Sequence, residues 1–253
     1  MACLRKIMMV GIVLVPLIAM VGACDRTITY EENVSSPAGC FQCHSDVNTA
    51  LVAAEQQWDN SVHASGDNID RNSSSCSGCH TSEGFVRRIQ GESAMTIENP
   101  TVIHCFTCHA PHTRGNLTLR VTQPYTLENG ASLDLSGGNI CSSCHHARNG
   151  ENTYVRQDTV GLSQHWGPHH SPQADMIEAT NGYEYADYTY EKSFGHRTST
   201  EDGCLDCHMK TTLNNILGGH SFNMAVGEGA DEEQNTNGCN VKRCHDGGVD
   251  SFD

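Results

Sequence analysis

Apolar positions in this chain come in short patches separated by long polar stretches. The first patch, Ile7 to Val21, is an uncharged run of 15 residues behind Arg5 and Lys6. A membrane-spanning helix needs about 20 apolar residues, so the run is short for a span and fits the core of an export signal. Residues 25–37 are polar and read as a tether. Over residues 46–58, Val47, Ala50, Leu51, Ala54 and Trp58 fall on one helical face and Asp46 is placed to cap, so the spacing predicts a helix. Leu117, Leu119 and Val121 alternate, and residues 125–135 contain Asn129-Gly130, a strong turn signal. A small β-hairpin is expected there. The acidic run from Glu228 to Glu233 reads as a solvated loop.

These patches do not add up to an ordinary core. The chain has 253 residues, of which 37% are hydrophobic, with 6 Phe, 7 Tyr and 2 Trp. Globular domains run nearer half apolar. Charged residues are only 18%, so the sequence is not disorder-like either. Something other than side chains is expected to fill the interior. The formal net charge of −15 excludes a nucleic-acid partner, since phosphate binding needs a basic surface.

The cysteines supply the missing filler. They occur as Cys40-Phe41-Gln42-Cys43-His44, Cys76-Ser77-Gly78-Cys79-His80, Cys105-Phe106-Thr107-Cys108-His109, Cys141-Ser142-Ser143-Cys144-His145 and Cys204-Leu205-Asp206-Cys207-His208. Each is C-x-x-C-H, the attachment signature of c-type haem. Two thioether bonds anchor one porphyrin, and the His that follows ligates the iron from the proximal side. A single motif is compatible with a disulfide, a redox pair or a zinc knuckle, but five with His in the same place are not. Cys239 and Cys244, with His245, form a sixth site with four intervening residues, a spacing similar to a variant found in some multihaem cytochromes. Its competing reading is a zinc or disulfide pair. Twelve of the 14 Cys are used in this way, leaving Cys3 and Cys24.

Six proximal His leave nine others: His63, His104, His112, His146, His165, His169, His170, His196 and His220. That number permits a second His on every iron. The segment Trp58-Asp59-Asn60-Ser61-Val62-His63-Ala64 resembles the W-x-x-S-x-H-A segment of large multihaem cytochromes, in which the His is a distal ligand. Cys108-His109-Ala110-Pro111-His112 resembles C-H-x-P-H, whose second His serves a neighbouring haem. His220-Ser221-Phe222-Asn223-Met224 resembles the H-x-F-x-M segment of nitrite-reductase-like cytochromes. The stretch between His145 and Cys204 lacks a haem motif but carries five of the nine. If the segment between Pro168 and Pro172 is extended, His169 and His170 point to opposite faces and serve two haems. His196 lies just before Cys204. The expected distal set is His63, His112, His169, His170, His196 and His220, with His104 and His146, which flank C-x-x-C-H motifs, in reserve and His165 ranked last. Tyr183, Tyr185, Tyr188 and Tyr190 are expected to pack on porphyrin edges.

Val21-Gly22-Ala23-Cys24 resembles a bacterial lipobox, which implies cleavage before Cys24 and a lipid anchor on it; cleavage shifts the charge from −15 to −17. The expected organisation is a signal peptide (1–23), a tether (24–37) and a single hexahaem cytochrome c domain (38–253). The expected fold is mostly coil with short α-helices and a small β-hairpin, wrapped around a closely packed chain of c-type haems. The chain resembles lipoprotein and extracellular multihaem cytochromes of metal-reducing bacteria. That resemblance implies electron transfer rather than catalysis, six covalent haem c groups, and other cytochromes or extracellular metals as redox partners. It also implies a periplasmic, outer-membrane or extracellular location. Two readings stay open beside it. One is a reductase for nitrite, hydroxylamine or a sulfur oxyanion with an open haem site, although the C-x-x-C-K motif of pentahaem nitrite reductases is absent. The other is a homopolymeric filament.

Overall fold

The computed structural model describes residues 49–252, apart from 115, 156–158, 160, 163–165 and 192–194 and the side chain of Arg114. The export signal with Cys3 and Cys24, the tether, the first motif (Cys40, Cys43, His44), Asp46, Val47 and His165 therefore lie outside the described residues.

The predicted helix is present as α1, Thr49–Trp58. Its alanines favour the helix, but none of its residues is buried. It is held at its end by specific bonds. The Trp58 indole donates to the Ile103 carbonyl at 3.0 Å, and Gln57 Oε1 accepts from the His220 amide at 3.0 Å. A Cβ on Gly219, the residue before His220, would lie 2.2 Å from Gln57 Oε1, so this contact needs glycine. A second helix, α2, spans Ser82–Ile89 and is capped by Thr81, whose hydroxyl accepts from the Gly84 amide. Every other α-helix among the described residues is a turn of four or five residues. No helix among the described residues is long and apolar enough to cross a membrane.

The hairpin forms as expected. β1 (Tyr125–Thr126) pairs antiparallel with β2 (Ser132–Leu133) in the register Tyr125 to Leu133. Its loop is Glu128-Asn129-Gly130: the Leu127 amide donates to the Ala131 carbonyl, and Gly130 has φ +87°. That is the three-residue loop with a left-handed glycine rather than the two-residue turn. Leu117, Leu119 and Val121 do not extend the hairpin. Leu119 instead makes a single antiparallel bridge to His109, within the third motif. A second hairpin, β3 (Ala225–Val226) with β4 (Glu233–Gln234), closes the acidic segment read as a plain loop. Its tip is exposed, as expected of six residues that include four acids.

Side chains supply little of the interior. One apolar cluster gathers Leu127, Leu133, Leu135 and Ala174, with Tyr125, Ala131, Ile177 and Cys204 against it. Much of the remaining buried set is small and polar, including Ser77, Thr81, Ser82, Thr107, Ser142 and Ser221. The architecture is thus mostly coil, short helices and two small hairpins.

Candidate functional site

Each described motif forms a turn that ends on its histidine. In the second, third and fourth motifs the histidine amide donates to the carbonyl of the first cysteine: His80 to Cys76 at 3.2 Å, His109 to Cys105 at 2.9 Å and His145 to Cys141 at 3.0 Å. The fifth motif is itself a helical turn, Cys204–His208. The sixth has two more residues, yet the same closing bond is made: the His245 amide donates to the Cys239 carbonyl at 3.1 Å. The extra length is taken up by turns, with Cys244 bonded back to Val241. All ten described motif cysteines are free of disulfides.

The motifs converge although the chain spaces them irregularly. The side chains of Cys79 and Cys144 lie against each other, as do those of Cys141 and Cys204. The second motif thus meets the fourth, and the fourth meets the fifth. Arg88 spans the first of these junctions, donating to the Ser143 carbonyl at 2.6 Å and approaching the Cys79 and Cys144 sulfurs at 3.5 and 3.6 Å. Ser82 and Thr107, joined by a hydroxyl hydrogen bond, link the turns after motif two and within motif three. Motif six is tied to motif five by Arg243, which pairs with Glu201 and Asp206.

Four motif histidines each face a second imidazole. Ring centroids are 6.1 Å apart for His145 and His63, 6.3 Å for His80 and His169, 6.5 Å for His109 and His220, and 6.5 Å for His245 and His196. All four partners belong to the distal set expected from sequence. His112 instead lies 5.6 Å from Phe106, and His170 5.6 Å from His169; among the described residues neither meets a motif imidazole. The segment carrying His169 and His170 is not extended. His169 has φ +82° and Ser171 φ +62°, so the two rings meet edge to face at 72° instead of pointing apart. The four tyrosines are exposed and pack on one another, with Tyr183 and Tyr185 centroids 5.0 Å apart.

Burial keeps several of these imidazoles neutral, the form that binds metal. It pushes His63 down to about 4, helped by His145 beside it, and lowers His145, His80 and His220 as well. Backbone carbonyls orient others. His109 Nδ1 donates to Leu117 at 2.7 Å, His208 Nδ1 to Phe222 at 3.0 Å and His169 Nδ1 to His170 at 3.0 Å. A metal-ligating His characteristically gives one ring nitrogen to such a carbonyl and the other to the metal.

The residues present fit covalent haem. Metal–imidazole bonds of about 2.0 Å, with about 1.1 Å from nitrogen to ring centre, put two opposed imidazole centroids about 6.2 Å apart across one metal. Among the described residues no group of three or more His, Cys, Asp and Glu gathers around a point as a bare metal ion needs. The imidazoles come in twos, as an iron with two axial positions requires.

Phe222 was legible only as part of a motif. Its ring lies 5.3 Å from His63 and 6.1 Å from His220, its carbonyl takes the His208 bond, and its φ of +58° is left-handed. Gln57 and Arg88 carry no local sequence signal; only tertiary structure brings them to the motifs.

These features are the ones a multihaem c-type cytochrome needs, and comparison with known proteins finds such cytochromes among the chain's relatives. The chain is similar to the C-type polyheme cytochrome OmcB of Geobacter sulfurreducens, at 26% identity over 72% of this chain and 28% of that protein. It is also similar to the C-type polyheme cytochrome OmcC of the same organism, at 28% identity over 78% of this chain and 25% of that protein. The chain thus spans about a quarter of the length of these relatives. No family model and no solved structure matches it.

Proposed function

We propose that the chain is an electron-transfer protein holding six covalent haems. The attachment pairs are Cys40 and Cys43, Cys76 and Cys79, Cys105 and Cys108, Cys141 and Cys144, Cys204 and Cys207, and Cys239 and Cys244. The proximal ligands are His44, His80, His109, His145, His208 and His245. His63, His112, His169, His170, His196 and His220 form the distal set. Haem iron supplies a one-electron couple whose potential is tuned by its ligands and burial.

The observation that carries this reading is the meeting of thiols from different motifs, Cys79 with Cys144 and Cys141 with Cys204. Attachment points in contact suit a carrier that passes electrons between neighbouring cofactors. The chain's task is to hold these points together, which the Arg88 bridge and the Arg243 ion pairs support. Motif six is exposed at Cys244 and His245, an accessible place for exchange with a redox partner. Other cytochromes or extracellular metals are the proposed partners. Export with a lipid on Cys24 would place the protein at a periplasmic, outer-membrane or extracellular location.

Intact mass of the exported protein tests the stoichiometry. Six covalent haems are expected, and five after Cys239→Ser with Cys244→Ser. Five in the unaltered protein would remove the sixth site, and none would remove the reading as a whole.

A further inference from the structure

We propose that four irons have defined axial pairs: His80 with His169, His109 with His220, His145 with His63, and His245 with His196. This assignment rests on the six-haem reading and goes beyond it, because motif spacing names the proximal ligand of each iron but not which distant histidine completes it.

Three observations carry the assignment. The four separations, 6.1 to 6.5 Å, sit at the distance of about 6.2 Å at which two imidazoles face each other across one metal. Ordinary aromatic contacts also fall between about 4.5 and 7 Å, so distance alone does not decide. The composition of the pairs does. Each contains one motif histidine and one spare histidine, and no residue is used twice. The ring contacts made by His104, His112 and His170 involve only near neighbours in sequence, and none includes a motif histidine.

The backbone around the spare partners forms the third observation. His63 lies in a short turn, Val62–Ser65, whose cap Ser61 is buried and accepts from the Ala64 amide. The His220 amide is held by Gln57 Oε1 across most of the chain length. Gly218, two residues before it, has φ +67°, and a Cβ there would lie 1.9 Å from the Lys210 carbonyl oxygen. His169 sits at φ +82°, a strained conformation for a residue with a Cβ, and its Nδ1 is occupied by the His170 carbonyl. Such restraint is expected of a side chain that must meet a fixed point.

Epistasis between ligand and attachment site tests the assignment. The pair at the exposed sixth site suits the first experiment, because His196 and His245 are both solvent-accessible. His196→Ala in the full holoprotein is expected to retain six haems by mass and to convert one ferric iron from low to high spin by electron paramagnetic resonance. Free imidazole should restore the low-spin signal. In the Cys239→Ser, Cys244→Ser background, the same His196→Ala change should add no high-spin iron. The parallel experiment joins His63→Ala with Cys141→Ser and Cys144→Ser. A high-spin iron that appears in both backgrounds, or an intact His196→Ala protein that stays wholly low-spin, would overturn the assignment. If the mass of the unaltered protein lacks the sixth haem, the six-haem reading fails there and takes the His196 pair with it, and the His63 series then judges the other pairs.

Discussion

Produced without haem attachment, the chain is expected to lose cooperative thermal unfolding altogether, with its near-ultraviolet circular dichroism collapsing. The buried apolar residues among those described are Phe85, Ile97, Ala110, Leu127, Leu133, Leu135, Ile140, Ala147, Ala174 and Leu217. Three of the ten are alanine, and only one is aromatic. Burying a large aliphatic side chain contributes about 1.5–3 kcal/mol, whereas fixing each backbone residue costs about 1–2 kcal/mol. An inventory of this size does not order so long a chain of turns. The porphyrin faces are the apolar surface that would, and folding then depends on the cofactor as a small metal domain depends on its metal. Calorimetry of protein made in cells lacking the haem-attachment system checks this. A sharp transition in the haem-free chain would show that the side chains suffice.

Removal of the fourth haem, through Cys141→Ser with Cys144→Ser, is expected to be the most damaging single-site loss. Motif four is the most enclosed: Asn139, Ser142 and Ala147 are at most 1% exposed, and Ile140 is 6%. Asn139 fixes its start, accepting from the Leu135 amide at 2.9 Å and donating to the Thr122 carbonyl and Asp134 Oδ1, each at 3.2 Å. Its two cysteines meet those of motifs two and five. Emptying this site opens a cavity at the junction with two others, a loss of several kcal/mol. At about 2–4 °C per kcal/mol for a domain of this size, the thermal midpoint should fall by about 10 °C or more. The matching change at Cys239 and Cys244 should cost less than half as much, because that site is exposed at Cys244 and His245. Melting followed by Soret circular dichroism ranks the two. Equal losses would contradict the view of motif four as the centre of the assembly.

What could be read in advance follows from the range of the interaction concerned. Thioether attachment demands two cysteines and a histidine within a few residues, so all six proposed sites lie open in the sequence. Helix α1 was legible from its apolar face, and the first hairpin from Asn129-Gly130, because both are local signals. The second hairpin was not, since its strands are two residues each and too short to show alternation. The bend at His169 was hidden because left-handed backbone is unusual for histidine; Gly167, at φ +102°, shows only afterwards where the chain turns. His63, His169, His196 and His220 could be selected as distal candidates from local context and from their place along the chain. Their partners could not, because His63 meets His145 and His109 meets His220 only once distant segments have packed.

Electron paramagnetic resonance of the oxidised, undamaged holoprotein tests the central claim most directly, because it asks whether the irons are built to pass electrons or to bind a substrate. With six histidines on each side, every iron should be six-coordinate, giving low-spin signals that integrate to six irons per chain, and carbon monoxide should barely perturb the reduced spectrum. One stoichiometric high-spin iron that binds carbon monoxide and turns over nitrite or hydroxylamine would contradict the account and make the chain a reductase.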